Sequence, residues 1–174
     1  MSPLLLEVIL QSFQIIPMTQ DHIESYALAL GSVARERIYI GFLEAPGLEW
    51  VRQFVNNALA SGWVYYIAVV DERVVGWCNI GKHNRPIFEH SGVLGMGVVA
   101  DYRGQGIGKA LIRAALTKAK EKGLTRVSLT LREPNKRAIA LYDAFGFVRE
   151  GVHKRAICVD GVYEDQISMA LLFD

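Results

Sequence analysis

The chain has 174 residues, 51% hydrophobic and 21% charged, with a formal net charge of +1. That length supports one domain with a real core, and the balance excludes a disordered chain and a broad basic surface for nucleic acid. No apolar run reaches the roughly 18 residues of a membrane span, and Leu4-Leu5-Leu6 lacks a basic lead and a cleavage site, so a cytoplasmic protein is expected.

The first eleven residues read as an N-terminal lead-in, and residues 12–174 as the domain. Phe13–Pro17 reads as a strand. Thr19 or Asp21 is placed to cap a helix from about His22 to Arg37. Ala45-Pro46-Gly47 breaks the chain, and a second helix spans about Leu48–Ala60, stopped by Ser61-Gly62. Trp63–Val70 and Val74–Gly81 are aromatic and β-branched runs around Asp71-Glu72-Arg73, which predicts a hairpin. A polar loop, Lys82–Glu89, leads to a strand at Ser91–Val99.

A glycine-dense turn follows that strand, and a helix pattern runs from about Ile107 to Lys122. Ile107, Leu111, Ala115 and Ala119 fall on one face. Arg126–Leu131 alternates as a strand. Pro134-Asn135 opens a helix ending near Phe145 at Gly146. Phe147–Cys158 and Tyr163–Leu172 are strands joined by Asp160-Gly161. The order is strand, two helices, three strands, helix, strand, helix, two strands, an α/β arrangement on one mixed sheet.

The stretch Arg103-Gly104-Gln105-Gly106-Ile107-Gly108-Lys109 has the make-up of an anion site. Helix-start N–H groups lack intrahelical partners, the helix dipole adds positive potential, and glycine lets a diphosphate approach the backbone. It is not a Walker loop, because Ala110 follows Gly108-Lys109 and Arg103 stands where the first glycine belongs. Counted from Gly104, a dinucleotide fingerprint fails at Lys109. Gly95-x-Gly97-x-x-Ala100 matches that fingerprint as a string but opens no helix. Cys78 and Cys158 have no metal-ligand spacing, and no metal site is expected.

The pattern Arg103-x-x-Gly106-x-Gly108 resembles the acetyl-CoA signature of the GNAT family of N-acetyltransferases. The segment from Asn135 through Ala138-Ile139-Ala140-Leu141-Tyr142 to Gly146-Phe147 resembles a second pattern of that family. The element order is also shared, so the resemblance covers nearly the whole chain from Phe13. It implies a single domain with a mixed, mostly antiparallel sheet of about seven strands and about four helices. It implies acetyl-CoA as cosubstrate, with Arg103–Lys109 on the diphosphate (Gly104, Gln105 and Ile107 included), Val98 and Val99 on the pantetheine and thioester, and Asn135 on the pantetheine side or a water. Tyr142 becomes the acid that protonates the leaving thiolate.

Attack by an amine also needs a proton acceptor. One branch of the family carries a Glu twelve positions before the Tyr; here that residue is Thr130. Glu89 and His90, just before the central strand, are the side-chain candidates, and a water relay is equally open. The C-terminal segment from Gly151 through Met169 resembles the branch, including phosphinothricin-type enzymes, that acetylates amino acids and amino-acid-like compounds. Arg85, Lys154 and Arg155, with His83 behind them, are candidates to meet a substrate carboxylate. No acidic cluster suggests a polyamine. The alternatives are a protein N-terminus or lysine as acceptor, or a silent acyl-CoA-binding module. The resemblance allows a homodimer.

Overall fold

The computed structural model describes residues 12–174; the lead-in at 1–11 lies outside the described residues. The elements are β1 (Gln14–Pro17), α1 (Ile23–Arg35), α2 (Leu48–Ala60), β2 (Val64–Val70), β3 (Arg73–Lys82), β4 (Ser91–Val98), α3 (Ile107–Glu121), β5 (Arg126–Arg132), α4 (Lys136–Ala144), β6 (Val148–Val159) and β7 (Val162–Leu172). Every expected element is present, with ends shifted by a few residues. Thr19 caps a single 3-10 turn, Gln20–His22, ahead of α1. α1 stops at Arg35 because Arg37 takes a left-handed φ of 60°, which no helix accommodates. α4 starts after Asn135, whose side-chain oxygen accepts the Ala138 N–H at 3.2 Å as an N-cap.

The seven strands form one sheet in the order β1-β2-β3-β4-β5-β7-β6. All neighbours are antiparallel except β4 and β5. Strand side chains alternate between two faces. Cys78 and Ile80 of β3 face α3, whose Ile107, Leu111, Ile112, Ala115 and Ala119 are buried against the sheet. Tyr65 and Ile67 of β2 and Trp77 of β3 face α1 and α2, meeting Tyr26, Val33, Val51 and Val55. Leu111 is fully buried, so truncating it to Ala costs about 2–5 kcal/mol. Two cores, one on each face, hold the sheet rigid and fix the spacing of its central strands, β4 and β5.

Candidate active site

β4 and β5 pair only at Ser91↔Arg126, Gly92↔Val127 and Val93↔Ser128. Beyond that β4 stays with β3 as far as Val98, and β5 stays with β7 as far as Arg132. The two central strands therefore part, and a cleft of about 1240 Å³ opens between them. The Val99 N–H donates to the Val75 oxygen at 2.9 Å, so Val99 belongs to the sheet and does not line the cleft. By the two-residue period, the peptide groups of Leu94, Met96 and Val98 face the gap. The Val98 oxygen accepts from Arg103 Nε at 2.8 Å, which leaves its N–H as the donor offered to the cleft.

The turn after β4 ends the cleft. Gly104 and Gly106 have φ of 77° and 86°, the left-handed region that disfavours side chains. Among the described residues, no acceptor meets the backbone N–H groups from Gly104 to Lys109; the first helical bond of α3 is Ala110 to the Gly106 oxygen, 3.0 Å. Gly104, Gly106, Gly108 and Lys109 line the cleft. Gln105 and Ile107 do not line it. The Gln105 amide turns back to the Asp101 oxygen at 3.1 Å, and Ile107 is core.

Arg103 departs from the role its motif position implies. Its guanidinium holds both Glu36 oxygens, at 2.8 and 2.6 Å, and lies 4.5 Å from the centre of the Tyr39 ring. The Glu36 hydrogen bonds raise its pKa further. That pair fastens the turn to the end of α1, and Arg103 still lines the cleft beside Gly104. The cation that sequence reasoning missed is Arg137. Its guanidinium lies 3.4 Å from where a Cβ on Gly104 would sit. Among the described residues no hydrogen bond or ion pair engages Arg137 or Lys109. A cation in the first turn of α4 gave no sequence signal, because only the fold brings α4 to the turn.

Tyr142 lies in the cleft wall at 6% exposure, its ring 5.5 Å from that of Phe147. Burial pushes its hydroxyl pKa well up, so it stays protonated throughout the physiological range. Asn135 also lines the cleft; its capping oxygen is occupied and its amide nitrogen is left to offer.

The structure does not bring Glu89 and His90 to this place. Both are exposed and precede β4, at the end where it still pairs with β5. β4 is eight residues long, so roughly 20–25 Å of strand separates them from Val98. Among the described residues, the cleft wall contains no Asp, Glu or His. Thr130 does line it.

The opposite wall is the segment after α1 (Ile38, Tyr39, Ile40, Leu43) together with the β6 stretch Ala156–Val159. Arg132, 9% exposed, clamps this wall. Nε and Nη2 each hold Glu164 at 2.6 Å, and Nη1 donates to the Arg37 carbonyl. Arg37 in turn pairs with Asp160 at 2.8 Å. The cations expected to meet a substrate carboxylate are elsewhere or engaged: Lys154 pairs with Asp165 at 2.7 Å, Arg155 covers the Tyr163 ring at 4.0 Å, and neither they nor Arg85 nor His83 line this cleft.

A parted parallel strand pair, an unpaired helix start and a buried tyrosine between them make up the candidate site. The acetyltransferase (GNAT) family model matches residues 34–147, and the chain belongs to that family. An L-amino acid N-acetyltransferase, AaaT, of Escherichia coli is 30% identical over 79% of this chain and 85% of its own length. The N-alpha-acetyltransferase RimI of Mycobacterium tuberculosis is 37% identical over 64% of this chain and 70% of its own. The phosphinothricin acetyltransferase of Sinorhizobium meliloti, solved in complex with AcCoA, superimposes with a TM-score of 0.87 at 18% identity, over 92% of this chain and 88% of that one. Among the described residues no group of three metal-ligating side chains converges, and no helix is long and apolar enough to cross a membrane.

Proposed function

We propose that the protein transfers an acetyl group from acetyl-CoA to the primary amine of a small, amino-acid-like molecule, by direct attack. The observation that carries this reading is the parted β4–β5 pair, with free helix-start N–H groups at its end and Tyr142 in its wall. The N–H groups from Gly104 to Lys109, with Arg137 and Lys109, hold the diphosphate. The Val98 and Met96 peptide groups hold the pantetheine arm, as strand partners would, with the Asn135 amide beside it.

The Met96 N–H, farther from the turn, donates to the thioester oxygen and strengthens that bond as the amine nitrogen attacks and the oxygen gains charge. The C–S bond then breaks, and Tyr142 delivers its proton to the departing thiolate. The ammonium form of the acceptor gives one proton to water before attack, and the nitrogen, cationic once bonded to carbon, gives a second as the C–S bond breaks; water takes both, since the wall, among the described residues, offers no carboxylate or imidazole for the task. Tyr142 recovers its proton from the same solvent.

The likeness to AaaT supports an amino-acid-like acceptor. A protein N-terminus is the second reading. The RimI likeness favours it, and so does the absence, among the described residues, of a free cation on the acceptor wall to meet a carboxylate. A cytoplasmic location and a homodimer go with either reading; the exposed Val148 and Val152 of the edge strand β6 offer the pairing surface. The test is thiol release from acetyl-CoA against amino acids, their amides and N-terminal peptides. Turnover with free amino acids supports the first reading and turnover confined to peptides the second. Acetyl-CoA binding without turnover on any amine supports a silent module and contradicts both.

A further inference from the structure

A second hollow, about 330 Å³, adjoins the cleft and shares Leu94 and Gly95 with it. It lies on the α1–α2 face of the sheet. On that face β4 carries Val93, Gly95 and Gly97, opposite Gly81, Asn79 and Trp77 of β3. A Cβ on Gly95 would stand 3.3 Å from Asn79 Oδ1, and one on Gly97 would strike the Trp77 ring. Trp63 lies flat on Gly81, 2.7 Å from where a Cβ would be, so its ring is fixed in place as a wall.

The wall is aromatic and continuous with the cleft. Phe42 sits between the cleft residues Gly41 and Leu43. It meets Trp50 edge-on at 5.2 Å, Trp50 stacks on Phe54 at 5.3 Å, and Phe54 meets Trp63 at 5.7 Å. Val93, on the floor, is 43% exposed, which is unusual for a central-strand valine with two paired neighbours. Lys82 and His83 stand at the rim, and among the described residues no carboxylate lines the hollow. Gly97 and Val93 are four residues apart, a run of about 13 Å.

We infer that this hollow holds the acceptor's tail: the substrate is a primary amine whose far end is aliphatic or aromatic and carries no positive charge, seated on Val93 between Phe54 and Trp63. The inference rests on the acetyl-transfer reading and deepens it. An apolar end gains from leaving water, rigid aromatic walls cost little to order, and Lys82 repels a cationic end that aromatic faces alone would attract. The same chemistry occurs in a free arylalkylamine and in a short peptide with an apolar residue behind its N-terminus.

The experiment uses the full chain, with ω-phenylalkylamines of increasing length, n-alkylamines, α,ω-diamines and short peptides with Phe or Gly behind the N-terminal residue. Thiol release gives kcat/KM, and calorimetry gives amine binding to the CoA complex independently of turnover. Lengthening the tail into the hollow is expected to raise kcat/KM roughly tenfold, as burial of one or two methylenes does. The matching diamines are expected to fall behind by a similar factor. Val93→Trp, a change at a half-exposed site, fills the hollow; it should remove the gain for long tails and leave short amines unchanged. Lys82→Glu should restore the diamines.

Preference for the long free amines over the peptides assigns the tail to a small molecule, and the reverse assigns it to a peptide. Kinetics and binding indifferent to tail length, or Val93→Trp weakening short and long amines alike, would overturn the inference while leaving acetyl transfer standing. Failure of acetyl-CoA to bind would instead overturn the transfer reading, and amine binding to the free protein would still test the hollow.

Discussion

On the cofactor side of the cleft, six successive backbone N–H groups find no acceptor among the described residues, and Arg137 and Lys109 stand beside them with no ion pair there. Across the cleft, Arg132 and, behind it, Arg37 are each tied to a carboxylate, and the surface they leave is apolar. One side keeps its polar capacity for a charged ligand. The other spends its charges on holding a wall in position. The contrast fits the proposed ligands: a diphosphate brings its own charge, whereas an acceptor amine must arrive neutral to attack. The arginine nearest the turn, Arg103, belongs structurally to the second group although it sits in the first group's motif.

The sharpest way to break this contrast is Tyr142→Phe. If the hydroxyl acts only on the leaving thiolate, kcat falls about 100- to 10,000-fold while acetyl-CoA affinity stays within experimental error, by stopped-flow and calorimetry. Loss of affinity instead would make Tyr142 a packing residue. Next comes the wall. Arg132→Ala removes the hydrogen bonds to Glu164 and to the Arg37 carbonyl, and should lower stability by about 1–3 kcal/mol in urea unfolding. It should also raise the acceptor KM far more than the acetyl-CoA Kd.

Gly106→Val imposes a left-handed φ on a β-branched residue, at a cost of about 1–3 kcal/mol. A Cβ there meets nothing within 4 Å, so the strain is in the backbone and acts on the anion site by moving its N–H groups. The expected outcome is weaker acetyl-CoA binding in a folded protein. Arg137→Gln should weaken acetyl-CoA binding by roughly tenfold, as loss of one charged hydrogen bond does, and Arg103→Gln should instead act mainly on stability.

The smallest effect expected is on pH. Hydrogen bonds from Arg132 hold the Glu164 carboxyl below its usual range, and those from Lys154 and the Arg155 backbone do the same for Asp165. These groups bind protons more readily unfolded. Their contribution is therefore complete above the ordinary carboxylate values, about 3.9–4.3, and is lost as pH falls through the depressed ones. Thermal melts from pH 6 downward should show that loss, reduced in Glu164→Gln.

The turn side of the candidate site was legible in the sequence because it is local. Strand, glycine turn and helix start are contiguous from Val98 to Lys109, and Asn135 to Tyr142 lie on one short helix. The acceptor half was not, because its clamps join residues 32, 67 and 95 positions apart, and no local pattern distinguishes Arg132 or Glu36 from any surface charge. Glu89 and His90 lie outside the cleft for a related reason. They adjoin β4 in sequence, but the strand carries the site at its other end. The pairing of Arg103 with Glu36 was not legible either, because a motif gives the position of a cation and not what it is paired with.

On the proposed reading, acetyl-CoA occupies the gap between β4 and β5 with its diphosphate on the start of α3. Backbone amide NMR during an acetyl-CoA titration reads that placement residue by residue. The largest shifts are expected at Met96, Val98 and Gly104 through Lys109, with the Val99 amide, bonded to Val75, little changed. Saturable binding that leaves those amides in place and moves others would contradict it.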